Sequence, residues 1–139
     1  MKKLYVLDAC ALIAFLQNEA GADDVTAVLR SASDGEVIIF INGINLLEVY
    51  YDIYRNVGKK KADEELSMIK KLPFRINTEL SNEVFLEAGR LKASYKISLA
   101  DSIALAEASI SEGILLTADH HEFDAVEKNE KIRFHRIRS

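Results

Sequence analysis

Short apolar runs rich in β-branched residues alternate along this chain with longer amphipathic stretches, and this alternation limits the possible folds. The predicted strands are Leu4–Leu7, Val37–Ile41, Phe74–Asn77, Ile114–Thr117 and Ile132–Ile137. The predicted helices lie at about Ala11–Leu16, Ala22–Ala32, Leu46–Val57, Ala62–Leu72, Asn82–Tyr95 and Leu99–Glu112. Strands that alternate with helices form a mainly parallel sheet covered on both faces. The sequence therefore predicts an α/β fold with three α/β/α layers and a central sheet of about four to five strands.

The chain length and composition suit one soluble domain over residues 1–139, and 49% of the residues are hydrophobic. No stretch is typical of a domain linker. Cys10 is the single cysteine, which excludes an internal disulfide and suits a reducing compartment. No apolar run approaches the ~18–20 residues that span a bilayer. Asp8 interrupts the apolar stretch that follows Lys2 and Lys3, which disfavours a signal peptide. We therefore expect a cytoplasmic protein without a membrane partner.

The net charge of −4 disfavours nucleic acid as a partner, because phosphate binding requires lysine and arginine. The distribution of the basic residues weakens this objection. Five of them lie between Lys128 and Arg138, and Lys59–Lys61 form a second cluster. Solubility and helix-end charge are the ordinary explanation of such clusters, and they do not by themselves identify an RNA-binding surface.

Four acidic residues occupy related places in the predicted fold. Asp8 ends the first strand, and Glu48 lies in the first turn of the predicted helix after the second strand. Asp101 lies in the first turn of the helix before Ile114–Thr117, and Asp119 follows that strand. In a parallel sheet the carboxyl ends of the strands share one edge with the starts of the following helices. The sequence therefore predicts that these four carboxylates converge.

Two interpretations of these acids remain open on spacing alone. Carboxylates in close quarters repel one another unless a cation neutralises them, and oxygen ligands favour Mg²⁺ or Mn²⁺. Each acid also fits a helix cap. Asp8 can cap the first helix, and Glu48, Asp101 and Glu122 each stand three residues after a capping side chain, the arrangement of a capping box.

The segments around these acids resemble the successive motifs of the PIN-domain family. They read VLDACALI at 6–13, NLLEVY at 45–50, LADSIALA at 99–106 and LLTADHHEF at 115–123. Each motif is weak alone, but the four occur in order and cover essentially the whole chain. The chain length is most similar to that of the VapC-type toxins of prokaryotic toxin–antitoxin pairs. The departures are minor: Ser102 stands where alanine is more usual, and the pair His120–His121 is not common.

The resemblance implies a PIN-like fold and an Mg²⁺- or Mn²⁺-dependent endoribonuclease. Asp8, Glu48, Asp101 and Asp119 match the acidic positions of the family, and Thr117 matches its small hydroxyl. We expect Asp8 and Asp101 to be the most direct ligands of one or two ions and Asp119 to bind metal or orient water. Glu48 is expected to bind through water or to act as a general base. The implied partners are an RNA substrate, a cognate antitoxin and a second copy of the chain.

Alternative functions are weighed on the same residues. A haloacid-dehalogenase type of phosphotransferase needs a second aspartate two residues after the first, and Cys10 stands there. A PIN-type nuclease of RNA maturation or decay, or a non-catalytic module that binds RNA or protein, remains open.

The remaining notable residues have ordinary structural interpretations. Cys10 is interpreted as a small packed hydrophobe, and His120 and His121 as solvent-facing. The tyrosines of 50–54 are expected in the core or at an interface, with base stacking as the alternative.

Overall fold

The computed structural model describes residues 2–118 and 121–137. Asp119 and His120, which were both singled out above, lie outside these ranges. Within them the elements are β1 (Lys3–Leu7), α1 (Ala9–Leu16), α2 (Ala22–Ser33), β2 (Val37–Asn42), α3 (Gly43–Val57), α4 (Lys59–Ile69), β3 (Arg75–Asn77), α5 (Asn82–Ser94), α6 (Leu99–Ser111), β4 (Ile114–Thr117), α7 (Asp124–Asn129) and β5 (Arg133–Arg136).

The central sheet has the strand order β3-β2-β1-β4-β5, and every neighbouring pair is parallel. Tyr5 of β1 lies opposite Ile39 of β2 on one side and Ile114 of β4 on the other. The predicted α/β class, the parallel sheet and the three layers are confirmed. The carboxyl ends of all five strands therefore lie at one edge, as the prediction for the acids requires.

Two apolar cores lie on opposite faces of the sheet, and alternate strand residues contribute to each. Tyr5 and Leu7 belong to the core under α1–α4, whereas Val6 belongs to the core under α5–α7. In β4, Leu116 belongs to the core under α1–α4 and Leu115 to the core under α5–α7. This alternation follows from the two-residue period of a strand. It explains why the strands are apolar on both faces and why helices must cover both.

The start of α3 corrects the sequence prediction. The helix begins at Gly43, three residues before the predicted start, because the Asn42 side chain accepts a hydrogen bond from the Asn45 backbone N–H at 2.8 Å. Asn42, not Asn45, is therefore the N-cap. Glu48 lies in the second helical turn, so its predicted first-turn place and its capping box with Asn45 are both wrong.

The predicted helix Ala62–Leu72 is shifted toward the N-terminus, where α4 runs from Lys59 to Ile69. Gly58 has a φ of 107°, a conformation that favours glycine, and it ends α3 and precedes α4 directly. At the other end Pro73 disfavours helical backbone at the preceding residue, and tighter turns occupy 70–72. The short helix α7 was not predicted, because its six residues contain one buried apolar side chain, Val126, and no side-chain cap.

The described helices include none that is both long and apolar enough to cross a membrane.

Candidate active site

Asp8 lies at the centre of the carboxyl edge, directly after β1 and before α1. Its side chain is only 1% exposed. One carboxylate oxygen, Oδ1, accepts a hydrogen bond from the Ala11 backbone N–H at 2.9 Å, and Oδ2 accepts one from the Thr117 hydroxyl at 2.5 Å. Asp8 therefore caps α1 and also meets a residue of the neighbouring strand at the carboxyl edge. Thr117, the last residue of β4, holds the carboxylate in place from the neighbouring strand.

Glu48 and Asp101 approach this edge from α3 and α6, and both are half-buried. Burial raises the pKa of Glu48 above its ordinary value, and the negative charges of Asp101 and Asp52 raise it further. The charge of Asp101 acts on Glu48, 53 positions away in the chain, because α3 and α6 pack against each other. The convergence of all four carboxylates stays a prediction. We call Asp8, Glu48 and Asp101 the acid site.

Asp101 combines two roles in the same way as Asp8. Ser98 caps α6, where its hydroxyl accepts a hydrogen bond from the Asp101 backbone N–H at 3.1 Å. Burial raises the pKa of the Asp101 carboxyl, hydrogen bonds from Ser98 lower it in part, and the charge of Glu122 raises it again. The capping box predicted at Ser98 and Asp101 is therefore confirmed. This capping box directs the Asp101 carboxylate toward the start of α6, at the carboxyl edge of the sheet.

Asn45 links the acid-bearing elements, and the sequence analysis missed this role. Its Oδ1 accepts a hydrogen bond from the Ala9 backbone N–H at 3.1 Å, and its Nδ2 donates to the Ala100 carbonyl at 3.0 Å. The residue is 1% exposed. Asn45 thus joins the start of α1, beside Asp8, to the start of α6, beside Asp101. The available signal was an asparagine on the buried face of an amphipathic helix, among Leu46, Val49 and Ile53.

Glu122 is an acidic residue near Asp101 that the sequence prediction did not include in the site. It is exposed, and its charge acts on Asp101. The spacing of Asp119 and Glu122 predicted a capping box at a helix start, whereas α7 begins only at Asp124. The predicted ligand Asp119 and its neighbour His120 lie outside the described residues. His121 is exposed, in agreement with its prediction.

The donor set of the acid site suits a hard divalent cation. Its donors are carboxylate oxygens, and no lysine or arginine among the described residues offsets the raised pKa of Glu48 or Asp101. Within residues 2–118 and 121–137, no three His, Cys, Asp or Glu side chains form a metal-sized group. A complete ligand set would therefore need a further oxygen donor, and Asp119 is the predicted one.

Both predicted basic clusters are partly neutralised by neighbouring acids. Lys59 pairs with Asp63 at 2.7 Å and Lys61 with Glu65 at 3.1 Å, each one turn along α4. Arg136 pairs with two carboxylates of α7. These pairs favour helix-surface charge as the role of the clusters. Lys96, in the short loop before the Ser98 cap, is an exposed cation close in sequence to the acid site.

Cys10 corrects another expectation, because its side chain is exposed and not packed as a small hydrophobe. It is the second residue of α1, and the neighbours that face the core are Ala9, Ala11 and Leu12. Among the tyrosines of α3, Tyr50 is half-buried and donates a hydrogen bond to Asp63 at 2.6 Å. Tyr51 and Tyr54 are 46% and 45% exposed, which places them at the surface and not in the core.

Several solved structures of known proteins share the fold of this chain. The structure of VapBC2 from Rickettsia felis bound to a promoter DNA fragment has a TM-score of 0.74 at 15% identity, and the match covers 96% of this chain and 98% of that chain. DNA-bound VapBC from Salmonella typhimurium gives 0.70 at 14% identity, covering 99% of both chains. VapC20 from Mycobacterium tuberculosis, a Sarcin-Ricin loop cleaving toxin, gives 0.66 at 11% identity, covering 93% and 98%.

These identities show a shared fold and no more. Among curated proteins no relative matches this chain. The family model of the PIN domain, in contrast, matches residues 5–129, which is nearly the whole chain and includes every member of the acid site. By fold, by motif order and by this match, the chain belongs to the PIN-domain family.

Proposed function

We propose that this protein is a metal-dependent endoribonuclease and the toxin of a type II toxin–antitoxin pair. The observation that supports it best is the place of Asp8 at the carboxyl edge of the sheet, where Thr117 donates a hydrogen bond to it. Asn45 joins the helix start beside Asp8 to the helix start beside Asp101. The charge of Asp101 in turn raises the pKa of Glu48. Membership of the PIN-domain family and the likeness to VapC structures support a nuclease of the toxin type.

In this proposal, Asp8, Asp101, Glu48 and Asp119 hold Mg²⁺ or Mn²⁺ through their oxygens. The bound ion would supply a water of lowered pKa and stabilise negative charge on the reacting phosphate. Thr117 fixes the direction of the Asp8 carboxylate. Glu48 is suited to accept a proton from the attacking water, because its raised pKa brings it nearer to the working pH than an ordinary glutamate.

The proposed partners are an RNA substrate, an antitoxin and a second copy of the chain. Several structural neighbours are toxin–antitoxin complexes, which supports an antitoxin partner for this chain. Both protein partners would need an apolar surface. The outer face of α3 offers one, because Leu47, Tyr51 and Tyr54 follow one another at helical spacing and are all about half exposed.

The test of catalysis uses purified protein, single-stranded RNA and either Mn²⁺ or a chelator. We expect fragments with Mn²⁺ only, and a loss of at least about 10²-fold in Asp8→Asn and Asp101→Asn, as for removal of a stabilising group in other hydrolases. Asparagine caps helices as well as aspartate, so Asp8→Asn removes charge and keeps the start of α1. Asp34→Asn, an exposed residue after α2 and far from the acid site in the fold, is the matched control.

A readout without substrate separates metal binding from cleavage. Mn²⁺ should raise the melting temperature of the wild type and of Asp34→Asn, but much less that of Asp101→Asn. Cleavage that persists in chelator, or in Asp8→Asn at the wild-type rate, would refute the proposed site. Growth arrest on expression, relieved by a short neighbouring reading frame, distinguishes a toxin from a nuclease of RNA maturation.

A further inference from the structure

Two lysines that precede α6 form no salt bridge within the described part of the chain. Lys92 lies in the last turn of α5, Lys96 lies in the loop between α5 and α6, and both side chains are exposed. Salt bridges occupy many other cations of the chain, among them Arg55, Lys59, Lys61, Arg90 and Arg136. The ammonium groups of Lys92 and Lys96 are therefore available to an anion from outside the chain.

The loop that carries Lys96 leads to the acid site. It continues through Ser98, the cap of α6, to Asp101 in the first turn of that helix. The start of α6 is also fixed to α3, because Asn45 donates a hydrogen bond to the Ala100 carbonyl at 3.0 Å. Lys96 is thus attached to a helix start that belongs to the acid site.

The backbone at Lys96 is held on both sides. The Tyr95 hydroxyl donates a hydrogen bond to Glu130 Oε2 at 2.6 Å, and the Ile97 side chain is buried in the core under α5–α7. The Ile97 backbone N–H also donates to the Tyr95 carbonyl at 3.1 Å, which closes a tight turn around Lys96. A cation on an anchored turn loses less conformational freedom on binding than one on a loose loop.

Lys92 borders the same helix start from α5. It lines a cavity of about 670 Å³ together with Leu99, the first residue of α6, and Ile44, in the first turn of α3. Lys92 and Lys96 therefore place two positive charges around the start of α6.

Two acids, Glu79 and Glu107, line the cavity as well, but Lys92 forms a salt bridge with neither of them. Burial raises the pKa of the Glu107 carboxyl and the hydrogen bond from Asn77 lowers it in part, whereas Lys92 is not among the groups that shift it. The acids of the cavity therefore do not neutralise this lysine.

An acid site that acts on a polyanion needs cations close to it. Ionised carboxylates repel phosphate groups, and the net charge of −4 adds to this repulsion. At physiological salt, exposed charges act on one another over about 8 Å, so lysines elsewhere on the surface attract little at the site. Lys92 and Lys96 meet both conditions, since they lie near the acid site and have no acid partner among the described residues.

We propose that Lys92 and Lys96 bind the phosphate backbone of the RNA substrate and hold it beside the acid site. The inference rests on the proposed ribonuclease function for the identity of the substrate. Lysine contacts phosphate as a point charge, so this binding does not depend on the base sequence. The two lysines raise the affinity for RNA and leave the chemical step unchanged.

The first test compares two double variants that lose the same positive charge. Lys92→Gln with Lys96→Gln removes the proposed contacts. Lys70→Gln with Lys71→Gln is the matched control, because these lysines are also exposed and form no salt bridge in the described ranges. They follow α4 and precede β3, which places them toward the amino edge of the sheet, opposite the acids.

RNA binding is measured by the fluorescence anisotropy of a labelled single-stranded oligoribonucleotide, in chelator and at several salt concentrations. Each lost phosphate contact lowers the slope of log affinity against log salt by about 0.7, so we expect a slope about 1.4 smaller for Lys92→Gln, Lys96→Gln. Its affinity near 0.1 M salt should be weaker on the order of tenfold. The control should bind as the wild type does. Equal effects of the two double variants would overturn the proposal, because net charge alone would then explain the attraction.

Cleavage with Mn²⁺ separates substrate binding from other roles. Lys92→Gln, Lys96→Gln should raise KM about tenfold and leave kcat unchanged, as for the loss of an interaction made equally in the ground state and the transition state. Mn²⁺ should raise the melting temperature of this variant at least as much as that of the wild type, because removing positive charge does not weaken cation binding. A smaller Mn²⁺ effect, or a lower kcat at saturating RNA, would overturn the proposal by placing the lysines in the metal site or in the chemistry.

The contacts and the nuclease function fail in different ways. Metal-dependent cleavage with the same KM and salt dependence in the wild type and in Lys92→Gln, Lys96→Gln would refute the contacts and leave the nuclease intact. RNA binding that depends on Lys92 and Lys96, without any metal-dependent cleavage, would refute the nuclease and leave the contacts intact. A wild type that neither binds nor cleaves RNA would refute both.

Discussion

At the scale of single residues, the same side chains that begin helices form the acid site. Asp8 caps α1 and Asp101 belongs to a capping box at the start of α6. Asp8 also ends β1 at the carboxyl edge, and the charge of Glu122 acts on Asp101. Helix starts favour negative charge, since the peptide N–H groups there carry partial positive charge. The fold can therefore hold several carboxylates together at moderate cost, and local capping and a functional site are compatible.

The hydroxyl of Thr117 determines how firmly the Asp8 carboxylate is held. Thr117→Val removes the donor to Oδ2 in a fully buried position, so we expect a loss of about 1–3 kcal/mol in the free energy of unfolding. RNA cleavage should fall about 10–100-fold, as for other residues that orient metal ligands. Urea denaturation and cleavage assays measure the two effects. Thr117→Ser, which keeps the hydroxyl, should retain most of both; a Val variant with full activity would contradict the assigned role.

The raised pKa of Glu48 leads to a prediction about stability and pH. A carboxyl whose pKa is higher in the folded state takes up protons on folding, so its ionisation destabilises the protein as pH rises through that pKa. Glu48→Gln should therefore be more stable than the wild type at pH 7, and the gain should vanish below the ordinary glutamate pKa of about 4.3.

Urea denaturation at a series of pH values measures this gain. Glu64→Gln, an exposed position on α4, serves as control and should show no comparable gain. A Glu48→Gln variant that is less stable than the wild type at pH 7 would contradict a raised pKa of Glu48 in the folded protein.

At the scale of elements, the relative positions of α1, α3 and α6 determine the geometry of the site. The earlier start of α3 moves Glu48 into the second turn, and Asn45 of the same helix reaches both of the other two. Each of these helices carries one acid of the site or lies directly beside it. The site is therefore as rigid as the packing of three helix starts, and not merely as rigid as the loops that precede them.

Asn45→Ala tests this link between elements. It removes two buried hydrogen bonds and leaves the Ala9 N–H and the Ala100 carbonyl without their partner, so we expect a loss of about 2–4 kcal/mol in stability. RNA cleavage, measured under conditions in which the variant is still folded, should fall by more than the loss of folded protein accounts for. Asn56→Ala, an exposed asparagine on the same helix, is the control. Unchanged cleavage in folded Asn45→Ala would show that the helix starts stay aligned without it.

At the scale of the whole molecule, charge and apolar surface are distributed unevenly. Two lysines of α4 pair with acids on their own helix, and many of the exposed apolar residues lie on α3. An apolar surface that persists in a folded chain is typical of a binding face. The outer face of α3 is therefore the surface on which we expect self-association.

We expect the wild type to sediment as a dimer and the double variant Leu47→Lys, Tyr51→Lys to sediment as a monomer, because two positive charges would have to be buried at the interface. Analytical ultracentrifugation over a range of protein concentrations measures this. Met68→Lys, an exposed apolar position on α4, should remain dimeric. A monomeric wild type at every concentration would refute the dimer, and a dimeric double variant would exclude this face.

The sequence by itself determined the order and type of most elements and the placement of Asp8 and Asp101 at helix starts. The strand Ile114–Thr117 was predicted with its observed bounds, since its four residues are apolar or β-branched and follow a helix end at Gly113. Such patterns reflect local backbone preference and one-sided burial, which are written in neighbouring residues.

Only the tertiary structure decided the start of α3, the role of Asn45, the exposure of Cys10 and the pairing of Asn77 with Glu107. The bonds that fix Asn45 join residues 36 and 55 positions apart, and the contact between Asn77 and Glu107 spans 30. Such contacts depend on how helices pack across the sheet, and the local periodicity of a segment does not encode which distant partner its polar side chains will meet.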